Sequence, residues 1–160
     1  MKVGIGYQNE KDAMLSGKNI AEYAIKNGNI DRPDLVLAFC SGQIDPDKFF
    51  QGLQSVVGNQ TPIIGGSAIG VLTNDELSYE GYPAGIAILQ ADSFRCRIAA
   101  TGDLDKDERQ AGRQLAKELT CEPEDKLLLM FYDSVKIPAT ETSPPIMNAS
   151  PPLISGIEEI

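Results

Sequence analysis

The chain has 160 residues, a length that fits one domain with a normal hydrophobic core. Its formal net charge is −9, and an acidic surface repels the phosphate backbone, so nucleic acid is not expected as a partner. The sequence contains no histidine, which removes the usual general base at neutral pH and the commonest metal ligand.

The first third of the chain predicts two strand–helix units. Residues 3–7 form a short predicted strand, and a helix is expected to follow with Asn9 as its N-cap and a stop at Gly28. Residues 34–41 are nearly continuously apolar, which is typical of a strand covered on both faces. A second helix is predicted over residues 45–58, because Asp45 is a good N-cap and Pro46 suits the first helical position.

The middle of the chain predicts strands without helices between them. Residues 61–66 and 68–73 are expected to be two short strands, and residues 74–83 a polar loop. Residues 84–90 and 94–101 flank a turn-like Ala-Asp-Ser and predict a β-hairpin. Apolar residues alternate with Arg95 and Arg97 in the second of these strands, as in a sheet with one polar face.

The last third predicts one more helix and one more strand. The helix covers residues 105–119 and begins with a capping box formed by Asp105 and Glu108. Residues 126–133 predict a buried strand. A Pro-rich loop follows at residues 138–152, and then a helix whose apolar face is unfinished where the sequence stops.

These elements predict the order β-α-β-α-β-β-β-β-α-β and an α/β fold, in which helices pack on a mixed β-sheet. We expect a single domain over residues 1–160. The interrupted last helix favours a truncated part of a larger α/β protein.

The cysteines and the apolar runs indicate an ordinary intracellular setting. Cys40, Cys96 and Cys121 lie far apart and form no Cys-x-x-Cys pair, so neither a zinc site nor a disulfide framework is expected. The longest apolar run, residues 127–132, is too short to cross a bilayer. We therefore expect a cytoplasmic protein that does not insert into a membrane.

The stretch "IIGGSAIG", residues 63–70, fits none of the common catalytic motifs. It lacks the lysine of a phosphate-binding P-loop and the glycine spacing of a nucleophile elbow, and no Ser-His-Asp triad is possible without histidine. "GIGYQN", residues 4–9, has two of the three glycines of a dinucleotide fingerprint. Two readings stay open for the Gly-Gly pair: a bend between strands, or free backbone N–H groups that hold a carboxylate or phosphate.

Three segments of the chain carry a family resemblance: "PDLVLAFCS" with Phe39 and Ser41, "TPIIGGSAIGVLTND" from residue 61, and "EGYPAGIAIL" from residue 80. Together they resemble the N-terminal half of the FIST domain (FIST N), a sensory module. "LLLMFYDS", residues 127–134, is similar to a later strand of that family that ends near an Asp.

The resemblance implies a non-enzymatic, ligand-binding sensory domain of a cytoplasmic signal-transduction protein. Its ligand would be a small molecule such as an amino acid, and its partner a signalling output protein or domain. No cofactor is expected, since a haem held by histidine is impossible in this sequence. Strand ends and the loops after them are where open α/β sheets place ligands. The candidate contacts are Cys40, Ser41, Gly65, Gly66, Ser67, Tyr82 and Asp133.

Two other functions stay open from the residues. One is a hydrolase-type enzyme with Cys40 or Ser67 as its nucleophile, which would need a base other than histidine. The other is a protein-interaction scaffold, which an exposed apolar patch outside any concave site would favour.

Overall fold

The computed structural model describes residues 1–102, 106–119, 122–123 and 125–131, and the chain forms two compact units, Met1–Cys96 and Arg97–Ile160. The first unit contains two helices, α1 (Ala13–Gly28) and α2 (Pro46–Val57). Its strands are β1 (Lys2–Asn9), β2 (Leu35–Ser41), β3 (Ile63–Ala68), β4 (Val71–Leu72), β5 (Leu77–Ser78) and β6 (Pro83–Gln90). In the second unit, the described residues form one helix, α3 (Glu108–Leu119).

Four strands of the first unit form a mixed sheet in the order β1-β6-β2-β3. Strands β2 and β3 are parallel, whereas β6 runs antiparallel to both β1 and β2. The ends of β1, β2 and β3 and the start of β6 therefore lie at one edge of the sheet. We call this the carboxyl edge and define it by Asn9, Ser41, Ala68 and Pro83. The predicted α/β class with a mixed sheet is confirmed.

The hydrophobic core lies where α1 and α2 cover one face of this sheet. Val36 of β2 and Ile88 of β6 are fully buried there, together with Ile20 of α1 and Leu53 of α2. Burial of side chains of this size stabilises the fold by about 1.5–3 kcal/mol each. Strand β2 lies between β6 and β3, and none of its residues is exposed on either face, which agrees with its continuous apolar run.

The two helices cross at a pair of glycines. A Cβ atom on Gly17 would lie 2.2 Å from the carbonyl oxygen of Phe49, and one on Gly52 would lie 2.3 Å from that of Met14. Only glycine allows the backbones to approach so closely. Because β1 leads into α1 and β2 leads into α2, both helices begin near the carboxyl edge.

The helix caps are partly those expected. Asp45 caps α2 as predicted, with Pro46 in the first turn. The prediction of Asn9 as the cap of α1 is wrong: Asp12 has this role and accepts a hydrogen bond from the Leu15 N–H at 3.0 Å. Asn9 is instead the last residue of β1. Helix α3 has its first turn closed by Asp107, whose Oδ1 accepts from the Gln110 N–H at 2.9 Å.

The strands after α2 differ from the prediction. Strand β3 continues through both glycines to Ala68, since it stays in register with β2 as far as Ser41. The expected hairpin of residues 84–90 with 94–101 is wrong, because β6 pairs with β1 and β2 and residues 94–101 form no strand. A shorter hairpin, β4–β5, takes up part of the predicted polar loop.

Two further predictions concern the end of the chain. Residues 126–131 of the predicted strand 126–133 have no regular secondary structure. Asp105, Cys121, the Pro-rich loop at 138–152 and the final helix lie outside the described residues.

Candidate functional site

An open groove of about 770 Å³ lies at the carboxyl edge, between the starts of α1 and α2. This is where open α/β sheets tend to bind ligands, and the volume is in the range of small-molecule sites. The residues that line it come from the β1–α1 connection and the start of α1, from the β2–α2 connection and the start of α2, and from the position before β6: Glu10, Lys11, Asp12, Ala13, Met14, Gln43, Asp45, Lys48 and Tyr82.

Tyr82 is held at the groove by the side chain of Asn9. The Tyr82 N–H donates to Asn9 Oδ1 at 2.7 Å, and Asn9 Nδ2 donates to the carbonyl oxygen of Glu80 at 3.0 Å. Gly81, between Glu80 and Tyr82, has φ +77°, and a Cβ atom on it would lie 2.7 Å from Asn9 Oδ1. Glycine is therefore required twice, by its backbone conformation and by the space available. The Tyr82 side chain is half-buried and packs against the core.

The groove carries charges of both signs. Carboxylates are contributed by Glu10, Asp12 and Asp45, and ammonium groups by Lys11 and Lys48. Asp45 Oδ2 lies 3.7 Å from Lys48 Nζ, and both side chains are exposed. An exposed pair of this kind contributes little stability, so either partner is available to a ligand at small cost.

The two helix N-termini at the groove are already occupied. Asp12 Oδ1 accepts from the first turn of α1, and Asp45 Oδ1 accepts from the N–H groups of Asp47 and Lys48 at 3.1 and 3.2 Å. Helix N-termini bind phosphate when their N–H groups are open. Here the capping carboxylates fill those positions, so the groove favours a ligand with a positive group over a phosphate.

Cys40 and Ser41 are the last two residues of β2 and do not line the groove. Ser41 is buried, and its Oγ accepts from the Gln43 N–H at 3.2 Å, which shapes the turn that carries Gln43 to the groove. Cys40 is buried in the hydrophobic core, and this burial raises the pKa of its thiol. A thiol in this environment stays protonated at neutral pH, unlike the activated thiolate of a cysteine nucleophile.

The predicted glycine residues on β3 have different surroundings. A Cβ atom on Gly65 would lie 1.7 Å from the carbonyl oxygen of Ala38, so the pairing of β3 with β2 requires glycine. A Cβ atom on Gly66 would meet no described atom within 4 Å. Ser67 is exposed and stands opposite Cys40 in the register of the two strands.

The structure thus places only Tyr82 of the predicted residues in the groove lining, with Ser41 supporting Gln43 beside it. Gly65, Gly66 and Ser67 lie at the end of the strand next to β2, and Asp133 lies outside the described residues. Sequence reasoning missed Asn9, Asp12, Asp45 and Lys48 as parts of the site. Asn9 and Asp45 were predicted only as helix caps.

The described part of the chain contains no group of three or more acidic, Cys or His side chains placed to hold a metal ion. None of its helices has the length and apolar character needed to span a bilayer.

A model of the FIST N domain family matches residues 34–155 of the chain. A search of curated proteins found no match. Among solved structures, the chain is similar to the FtsZ W319Y mutant of M. jannaschii, with a TM-score of 0.36 and 13% sequence identity. That similarity covers 56% of this chain and 27% of the other, so the chain spans about a quarter of that protein's length.

Proposed function

The chain belongs to the FIST N family of sensory signal-transduction domains, and we propose that it binds a small ligand for a cytoplasmic signalling protein. The proposed ligand is a zwitterion such as an amino acid, and the proposed site is the groove at the carboxyl edge. The observation that carries this proposal is the presence of three carboxylates and two ammonium groups around one open groove. A signalling output protein or domain would respond to the bound state.

The charges favour one orientation of such a ligand. Its ammonium group would pair with Asp45 and Glu10, and its carboxylate with Lys11 or Lys48. Charge-assisted hydrogen bonds of this kind are about twice as strong as neutral ones. The Tyr82 ring would pack against the ligand's side chain, because Asn9 fixes its backbone at the groove.

The remaining predicted contacts complete the proposal. Gly66 and Ser67 are exposed and belong to the strand that neighbours β2, which leads to the groove. We retain Ser67 and the Gly66 backbone as contacts of a larger ligand. Gly65 and Cys40 would serve the site through the backbone and the core that support it.

The surroundings of the two candidate nucleophiles favour binding over hydrolysis. The buried Cys40 thiol has a raised pKa, which lowers its thiolate fraction. In the described part of the chain, no carboxylate or lysine is hydrogen-bonded to the Ser67 hydroxyl, as an activating base would be. A sensory role needs neither group to react.

Calorimetric titration with amino acids, matched amines and matched carboxylates tests this function. We expect zwitterions to bind more tightly than either half alone, because only they pair with both charge signs. Asp45→Asn keeps a good N-cap but removes the charge, and should weaken binding about tenfold or more. The matched control is Asp47→Asn, the same change in the first turn of α2 but outside the groove lining. Equal affinity for amines and zwitterions, or equal loss in both variants, would contradict the proposal.

A further inference from the structure

The β4–β5 hairpin presents large apolar side chains to solvent. Leu72 is 77% exposed, Leu77 59% and Tyr79 66%, and the adjoining Ile69 is 92% exposed. Leu72 and Leu77 are direct cross-strand partners, and the Tyr79 ring lies against Gly70, two residues before Leu72. Leu72, Leu77 and Tyr79 form the hairpin patch. Contiguous exposed apolar surface on a folded domain marks an interaction site, whereas single exposed residues are ordinary.

The hairpin is anchored to the sheet, so the patch has a fixed shape. Val71 is buried and lies against Gly85 of β6, where a Cβ atom would approach its Cγ1 to 2.5 Å. The turn is closed by the Thr73 N–H donating to the Glu76 carbonyl at 2.8 Å and by the Glu76 N–H donating to Thr73 Oγ1 at 3.1 Å. A pre-ordered surface loses little entropy when it binds.

The charges around the patch identify the kind of partner. Asp75, Glu76 and Glu80 are exposed on the same hairpin or directly after it. The sequence has no Lys or Arg between Lys48 and Arg95, so every charged side chain of the segment that carries the hairpin is acidic. A second copy of the chain would bring the same carboxylates face to face. We infer that the hairpin patch binds a partner protein whose apolar contact surface is flanked by Lys and Arg.

This surface is separate from the ligand groove, and the inference does not depend on ligand binding. The residues of the hairpin patch do not line the groove. The ligand titrations described above therefore serve as an independent measure, which hairpin variants should leave unchanged.

The probe for the test is a fluorescein-labelled amphipathic peptide of Leu and Lys, titrated with the full chain and followed by fluorescence anisotropy. Its counterparts replace Lys by Glu, or Leu by Gln. We expect only the Leu/Lys peptide to bind. The double variant Leu72→Thr with Leu77→Thr retains β-propensity, and should weaken binding about tenfold or more. Asp75→Asn with Glu76→Gln should weaken binding and flatten its salt dependence.

Two control variants separate specific docking from general stickiness. Tyr23→Thr removes an exposed aromatic on α1, and Asp47→Asn removes an exposed charge on α2. Both should bind the peptide as the unchanged chain does. If the double variant has a lower Tm, Leu72→Gln alone is used instead. Equal binding by the hairpin variants, equal binding of the Glu peptide, or self-association of the chain that the Leu72 and Leu77 changes abolish, would each overturn the inference.

Discussion

Removal of the Asn9 side chain should loosen Tyr82, which lines the groove. Asn9→Ala deletes the acceptor of the Tyr82 N–H and the donor to the Glu80 carbonyl, at 2.7 and 3.0 Å. Hydrogen bonds contribute about 0.5–1.5 kcal/mol each, so two of them give about 1–3 kcal/mol. Asn9 is exposed and water replaces part of this loss, so we expect a decrease of about 1–2 kcal/mol in the free energy of unfolding.

The assay uses Tyr82→Trp as a reporter, because the chain has no other tryptophan. Urea unfolding gives the stability, and acrylamide quenching of the single tryptophan gives its exposure. Asn9→Ala should increase quenching. The control Asn27→Ala removes one hydrogen bond to the Ile5 carbonyl, and it should lower stability but leave quenching unchanged. Unchanged quenching in Asn9→Ala would refute the proposed role of Asn9 in positioning Tyr82.

Three other predictions concern stability and reactivity. The hydrogen bond from the Ala91 N–H lowers the pKa of Asp34, and the hydrogen bond from Lys2 lowers the pKa of Asp31. The stability that each carboxylate contributes is therefore complete above the ordinary pKa of 3.8 and is lost as the pH falls through the lowered pKa. We expect the free energy of unfolding to fall between about pH 6 and pH 2, and to fall by less in Asp34→Ala. Ser16→Ala should leave stability unchanged or raise it by about 1 kcal/mol, because the buried Ser16 hydroxyl has no hydrogen-bond partner in the described structure. A clear loss in urea unfolding would show that the hydroxyl is used. Cys40 should react with thiol reagents at neutral pH only as fast as the chain unfolds, because its thiol is buried. Mass spectrometry can locate the labelled cysteines, and rapid labelling of Cys40 in the native chain would contradict its burial.

Features set by neighbours in sequence were predicted well. The α2 start followed from Asp45 and Pro46, which act within one turn of their own helix. Strand β2 followed from an unbroken apolar run. Among the candidate contacts, Tyr82 lines the groove, and its role as a ligand contact stays a prediction.

Features set by distant partners were missed. The hydrogen bonds of Asn9 reach residues more than 70 positions away, so nothing next to it in sequence distinguishes this role from that of a helix cap. Strand β6 was given its next neighbour along the chain as a partner, although it pairs with β1 and β2. Gly65 and Gly66 are identical in sequence terms, and only the position of Ala38 in the adjacent strand shows that Gly65 must be glycine.

The central claim, that a small zwitterion binds at the carboxyl edge, is tested most directly by NMR. The ¹⁵N-labelled chain would be titrated with the amino acid that binds most tightly in calorimetry. We predict saturable chemical-shift changes at the amides of Ala13, Gln43 and Tyr82, which line the groove, and none at Leu72 on the hairpin. Changes confined to other surfaces, or no changes with the whole amino-acid panel, would contradict the claim.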